Sequence, residues 1–273
     1  MAYKKYGDIF RTLRKQRKFP IYHFEKLGIS KATLAKFERG ESMMGFDRVV
    51  IALHELGTSL EEYEQFLNNF LINDKESIIA DIEHAEIIGD KEELINLSDK
   101  AEQLNFHLLA LSAKSLYKSL NHEEAEQIIE YLFSINIWGL TELNIFYFTL
   151  KNFSARELQI IINSFLIEKH PLFASEKYRN CFLKVAYRAS ILFSSRGYLD
   201  SAKYIIDCID NYHLEHTLFN QNLRNLTLGY WNYCFKDTKK GYQQIQVALD
   251  IFSNLEKHEI ANYYQHMLNL DIS

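Results

Sequence analysis

The chain has 273 residues, 47% of them apolar and 25% charged, with a formal net charge of −5. That balance excludes a disordered chain, and a length beyond about 250 residues favours a small domain joined to a larger one over a single core. With only two prolines and ten glycines, a turn-rich all-β fold is excluded as well, which leaves an all-α class.

Tyr6 to Lys18 spaces Tyr6, Ile9, Phe10 and Leu13 along one helical stripe and fills the rest with Arg11, Arg14, Lys15 and Arg17, so the first helix is amphipathic and cationic. Pro20 suits the first turn of a short second helix, where its missing N–H costs nothing. Phe24 and Leu27 would face the core, and Gly28 would stop that helix. Ser30 then reads as the N-cap of a third helix, Lys31 to about Glu38, closed by Gly40 as a left-handed cap. Leu34 and Phe37 point inward at i, i+3, which leaves Lys31, Ala32, Thr33 and Lys36 outward. Two more helices follow, Phe46 to Leu56 with Phe46, Val49, Val50, Leu53 and Leu56 as its apolar face, and Ser59 to Phe70. Residues 1–48 carry twelve Lys or Arg against five acids, a charge of +7 that leaves −12 for the remainder. A basic head on an acidic body suits a chain whose head alone meets a polyanion.

The segments LRKQRK, GISKATLAKFERGES and VVIALHELGTSLEE resemble the five-helix, lambda-repressor-like Xre-type helix-turn-helix domain. The resemblance covers about the first 70 residues, so the expected domains are 1–70 for DNA binding and 71–273 for regulation and dimerisation. KFERGES followed by a wholly helical remainder is more particularly similar to the Rgg/GadR/MutR regulators of Gram-positive bacteria, peptide-pheromone receptors with a tetratricopeptide-like body. The resemblance implies that Ser30 to Lys36 enter the major groove of a double-stranded operator. Lys31 would donate to guanine O6/N7, Ala32 would touch a thymine methyl, Thr33 would bond a base or phosphate, and Arg39 would meet phosphate. It also implies that Arg14 and Glu38 form an internal ion pair, a structural role favoured over the alternative of base contact. Ile21 stands where many such heads have a glutamine that reaches the DNA backbone, so that contact is not carried over. His23, on the second helix, is expected at the surface or facing the DNA backbone and not as a pH sensor. A head this small reads two half-sites as a homodimer.

From about Glu76 the chain becomes a succession of helices with weak internal repetition. Second helices of successive hairpins start near His122, Ser154, Tyr198 and Thr238, at intervals of 32, 44 and 40 residues, around and above the period of about 34 of a tetratricopeptide repeat. Ala125, Ala155, Ala202 and Gly241 supply a compact residue early in each, where one helix approaches the next. The first helices are Phe106 to Ser119, Trp138 to Lys151, Glu176 to Ser194 and Leu214 to Phe235, and Lys257 to Leu270 would cap the stack. A right-handed α-solenoid of degenerate helical hairpins follows. Its concave surface, lined by the first helices, would present Asn180, Lys184, Tyr187 and Arg188 from one hairpin and Asn222, Asn225, Tyr230 and Asn232 from the next. Asparagines bond both N–H and C=O of an extended peptide, tyrosines add area, and Lys or Arg can meet a carboxylate. Interhelical caps and partly buried tyrosines account for the same residue types in any helical protein.

No apolar run approaches the roughly 20 residues of a membrane span, and MAYKKYGDIF is not a signal peptide, so a cytoplasmic protein without membrane contact is expected. Cys181, Cys208 and Cys234 are too few and too widely spaced for a disulfide framework or zinc site and are expected to be buried structural thiols. The ten histidines form no ligand pair, no phosphate loop is present, and no nucleophile can be matched to a base; neither an enzyme nor a cofactor is expected. Two readings remain: a transcription regulator controlled by a short signalling peptide in the concavity, and a DNA-tethered scaffold whose helical array binds a protein partner.

Overall fold

The computed structural model describes residues 3–69, 73–167, 170–214, 217–255 and 257–268. Its contacts divide the chain into two compact units, Met1–Asp74 and Lys75–Ser273. The described residues form helices and no strand, and no helix among them is long and apolar enough to cross a membrane.

The first unit contains α1 (Lys4–Gln16), a 3-10 helix (Ile21–Leu27), α2 (Lys31–Glu38), α3 (Phe46–Glu55) and α4 (Leu60–Leu67). Phe10, Phe24 and Phe37 meet edge to face at its centre, with Ile29, Leu34, Ala52 and Leu53 fully enclosed around them. Gly7 is indispensable to this arrangement, because a Cβ there would lie 1.9 Å from the Phe37 carbonyl oxygen. It sets how closely α1 can approach α2.

The expected second helix is tighter than an α-helix. Pro20 caps it in an extended conformation from outside, and Gly28 ends it in the left-handed region at φ 73°. Phe46, expected in the core, is 71% exposed, and Ala52 takes the inward position with Val49, Leu53 and Leu56. As the first residue of α3, Phe46 has no preceding turn to pack beneath it. Phe70, the expected end of the last helix, lies outside the described residues.

The second unit comprises α5 (Asp74–Ile88), α6 (Lys91–Gln103), α7 (His107–Tyr117), α8 (His122–Ser134), α9 (Leu140–Thr149), α10 (Ala155–Leu166), α11 (Glu176–Ser195), α12 (Leu199–Asn211), α13 (Leu218–Phe235), α14 (Thr238–Asn254) and α15 (His258–Met267). Asn121 with Glu124 and Ser154 with Glu157 form capping boxes at α8 and α10, while Asp90, Ser175, Thr217 and Asp237 cap α6, α11, α13 and α14. These local hydrogen bonds satisfy N–H groups that have no intrahelical partner and so set where each helix starts. The expected ends at Leu214 and Leu270 give way to starts and stops at Leu218 and Met267, with Leu270 outside the described residues.

Helices α7, α9, α11 and α13 pack side by side in one row, while α12 and α14 lie against α11 and α13. Of the four compact residues expected at hairpin contacts, Ala202 and Gly241 are buried, whereas Ala125 and Ala155 are only half-buried. A Cβ on Gly241 would come within 2.2 Å of the Tyr233 amide nitrogen. Backbone contact of α14 on α13 therefore demands glycine at that position.

Candidate functional site

Two surfaces hold the candidate residues, one in each unit. In the first, Ser30 caps α2, its hydroxyl accepting from the Thr33 amide at 3.2 Å, and Thr33 Oγ1 lies 2.9 Å from Ser30 Oγ. Ser30, Lys31, Ala32 and Lys36 are exposed and Thr33 is half-buried, so all five line the outward face of α2. Lys31 Nζ lies 5.8 Å from the centre of the Tyr22 ring and 3.6 Å from Glu25 Oε2. At more than half exposure, such contacts hold a side chain loosely.

Arg39 is exposed and grips Glu41 through two hydrogen bonds of 2.5 and 3.0 Å. The hydrogen bond to Glu41 holds the guanidinium pKa above its usual value, and the same bond holds the Glu41 carboxyl below the usual carboxylate range. Arg39 must exchange this partner to reach a phosphate.

Beneath the face, Arg14 Nε and NH2 meet Glu38 Oε1 and Oε2 at 2.5 and 2.8 Å, and NH1 donates to the Phe19 carbonyl at 2.7 Å. Both side chains are more than nine-tenths buried. This bidentate pair ties α2 to α1, so the outward residues stand on a fixed helix. His23 turns to Glu55, 2.5 Å away, and packs on Phe19. It is engaged within the unit and about a quarter exposed.

The second surface is a groove of about 330 Å³ in the helical body. Its wall comes from α9, α11 and α13, first helices of hairpins, together with α5 and the capping helix α15. Tyr147, Phe219, Ile260, Tyr263 and Tyr264 make it apolar, and Asn180, Lys184, Glu83 and Asn220 supply polar groups. Asn220 Nδ2 donates to Asn180 Oδ1 at 2.9 Å. The remaining atoms, Asn180 Nδ2 and Asn220 Oδ1, make no hydrogen bond among the described residues. Whichever way the two amides are turned, the pair offers one donor and one acceptor.

Of the eight residues expected to line the concavity, the structure brings Asn180 and Lys184 into the groove. Arg188 lies beneath it, donating to Glu86 at 2.7 Å and to the Tyr263 hydroxyl at 2.9 Å, with its guanidinium 4.3 Å from the centre of the Tyr147 ring. Burial works against the Arg188 charge, but Glu86 and the tyrosines outweigh it and raise the pKa further. Lys184 pairs with Glu83. The carboxylates that these two cations were expected to await are already present, on α5.

Tyr187, Asn222, Asn225, Tyr230 and Asn232 do not line the groove. Tyr187 is wholly enclosed in the core. Asn222 is buried and donates to the Ala248 carbonyl at 2.8 Å, and Asn232 donates to Gln244 Oε1 at 2.7 Å, so both bind α14. Tyr230 is 7% exposed and stacks on Tyr233, while Asn225 is exposed. At about 100° per residue, Asn222 lies roughly 200° around α13 from the groove-lining Asn220, which is the physical reason for the error.

Asn220, Glu83, Tyr147 and Tyr263 were not foreseen. A signal for α5 was present: Glu76, Glu83 and Glu86 repeat almost the spacing of Lys177, Lys184 and Arg188, their partners. The cysteines differ from one another as well. Cys181 is buried, Cys208 half-buried and Cys234 exposed, and burial pushes the Cys181 thiol up to about 11, which leaves it protonated at neutral pH.

An Xre-like helix-turn-helix unit joined in one chain to a series of packed helical hairpins with a groove among them defines a class, the helical-repeat transcription regulators. Residues 90–266, well over half of the chain, match the family described as HTH-type transcriptional regulator Rgg, C-terminal domain. The chain belongs to the Rgg family. Among solved structures it is similar to the SHP pheromone receptor Rgg2 of Streptococcus dysgalactiae, at 19% identity and TM-score 0.75, over 96% of this chain and 98% of that one. A Listeria monocytogenes EGD-e protein described as a transcriptional regulator matches at 17% identity and TM-score 0.76, over 98% and 97% of the two chains. The PrgX/cCF10 complex matches at 14% identity and TM-score 0.70, over 98% and 100%. These likenesses are of fold.

Proposed function

We propose that this Rgg-family chain is a DNA-binding transcription regulator whose operator affinity is set by a short signalling peptide bound in the groove of its helical body. Residues 1–70 bind double-stranded operator DNA as one half of a homodimer, through Ser30, Lys31, Ala32, Thr33, Lys36 and Arg39. Residues 71–273 bind the peptide and hold the dimer together. The observation that carries the peptide reading is the Asn180–Asn220 pair, which sets one unpaired donor and one unpaired acceptor beside an aromatic wall. A main-chain peptide group offers the complementary C=O and N–H, and an apolar side chain fills the space next to them. The pheromone receptors among its structural neighbours agree with this reading.

A peptide changes operator binding only by favouring one arrangement of the dimer over another. Titration calorimetry with synthetic short peptides, followed by gel shift with and without the binder, tests this. Saturable binding that changes operator affinity is the expected result. No peptide binding, with a folded protein captured instead, would favour the scaffold reading. In the head, Lys31→Ala and Lys36→Ala are each expected to weaken operator binding, by about 1 to 3 kcal/mol for a base contact. A phosphate contact instead reduces the salt dependence. Unchanged affinity in both variants at fixed salt would remove α2 from the major groove.

A further inference from the structure

Lys184 stands on the rim of the groove, about three-quarters buried, and its only carboxylate partner among the described residues is Glu83 of α5. Burial works against the ammonium, yet the Glu83 carboxylate beside it overrides this and holds the pKa above the ordinary lysine value. The cation thus stays charged throughout the neutral range, in an apolar surround where a counter-charge is strongly favoured. Glu83 is about a third exposed, so it can turn to water without leaving a buried charge behind. Its neighbours in the same series behave differently. Arg188 and Glu86 are locked beneath the floor, and Lys177 with Glu76 lies out in solvent at 60% and 47% exposure. Among the described residues the ion pairs Lys177–Glu76, Lys184–Glu83 and Arg188–Glu86 join α11 to α5, and of these Lys184–Glu83 faces the groove.

We propose that Lys184 is a carboxylate subsite of the groove, held in this structure by Glu83 as an internal stand-in, and that its ligand carries a free carboxylate next to a bulky apolar side chain. The apolar side chain occupies the 330 Å³ space between Phe219, Ile260 and Tyr264, and the carboxylate displaces Glu83 from Lys184. The C-terminal residue of a linear peptide has this chemistry. The proposal rests on the peptide reading above and adds to it the charged group the ligand must present. The exchange also breaks one of three ties between α11 and α5, the helix that follows the head in sequence. Ile78 and Ile82, fully buried, keep α5 seated while Glu83 turns outward.

The test uses the full chain and two probes, N-acetyl-phenylalanine and N-acetyl-phenylalaninamide, which share a side chain and differ in the carboxylate. By NMR or calorimetric titration the acid is expected to bind about tenfold more tightly than the amide. Lys184→Gln is expected to abolish the difference. Glu83→Gln is the sharper variant, because removing the stand-in frees Lys184 and should tighten binding of the acid while leaving the amide unchanged. A Glu83 that merely braces the groove predicts looser binding of both, and a Glu83 that receives a ligand's ammonium predicts no preference for the acid. Either result overturns the proposal, as does failure of both probes to bind wild-type protein. Far-UV circular dichroism establishes that each variant is folded. Peptide-controlled operator binding without an acid–amide difference would remove the subsite and leave the proposed function. Acid-selective binding in a protein whose operator affinity no peptide alters would do the reverse.

Discussion

The two units place their candidate residues in opposite physical settings. On the head, Lys31, Ala32 and Lys36 are exposed on one face of a short helix, and the groups that hold that helix, Leu34, Phe37 and the Arg14–Glu38 pair, lie on the other. On this helix the candidate contact residues and the groups that give stability are separated by the helix axis. In the body they are interleaved: Arg188 joins α5, α11 and α15, and Asn222 and Asn232 fasten α13 to α14. A polar residue on the outer face of α2 is informative because the packing of the helix has little use for it, whereas a polar residue in the body is usually already engaged.

The largest effect that would sharpen this contrast is Glu38→Ala. It leaves the Arg14 guanidinium, 6% exposed, buried without its counter-charge, a change that typically costs about 3 to 5 kcal/mol. Both tryptophans, Trp138 and Trp231, lie in the body. In denaturant unfolding of the full chain, circular dichroism should therefore report an early loss of helix that tryptophan fluorescence does not follow. Coincident transitions would show that the head does not unfold apart from the body. Replacing both partners by apolar residues of similar size should recover much of the loss, since the pair contributes little beyond satisfying itself.

How much could be read from sequence follows the same division. In the head α2 was legible because one helix period decides its two faces: Ser30 and Gly40 mark the ends, Leu34 and Phe37 mark the inner face, and the outer face follows. Phe46 was misread because periodicity says which face a residue shares but not whether the turn beneath it exists. In the body, periodicity located the hairpins, yet each long helix has neighbours on several sides, so no single apolar stripe marks the groove. Asn220 and Asn222 are equally polar and two positions apart, and only tertiary packing decides which lines the groove. The partners of Lys184 and Arg188 are about a hundred residues away, beyond the reach of any local pattern.

A smaller effect separates Asn222 from Asn225, both candidates by type. Asn222→Ala removes the hydrogen bond to the Ala248 carbonyl and should lower the tryptophan-detected transition by about 1 kcal/mol, the usual net value of such a bond. Part of that loss is offset, because Asn222 Oδ1 is itself buried without a partner. Asn225→Ala, at an exposed position, should leave the transition where it is. Equal effects at the two sites would mean that the contact to α14 adds nothing to stability.

The smallest expected effect concerns pH, and it belongs to a side chain in the body that the fold engages on both sides. His107, at the start of α7, sits 2.9 Å from a Glu102 oxygen through Nδ1 and 3.0 Å from Gln127 Oε1 through Nε2. The hydrogen bond to Glu102, then that to Gln127, raises its pKa above the usual histidine value. A raised folded-state pKa means that the protonated form favours the folded chain. The contribution is complete below the unfolded value of about 6.5 and is lost as pH rises through the higher folded value. Half-exposure of both partners screens the interaction to about 0.3 kcal/mol. His107→Gln should therefore flatten a shallow decline in body stability between mildly acidic and mildly alkaline pH, followed by tryptophan fluorescence across that range. An unaltered slope in His107→Gln would assign the decline to general surface charge and not to the Glu102–His107–Gln127 bridge.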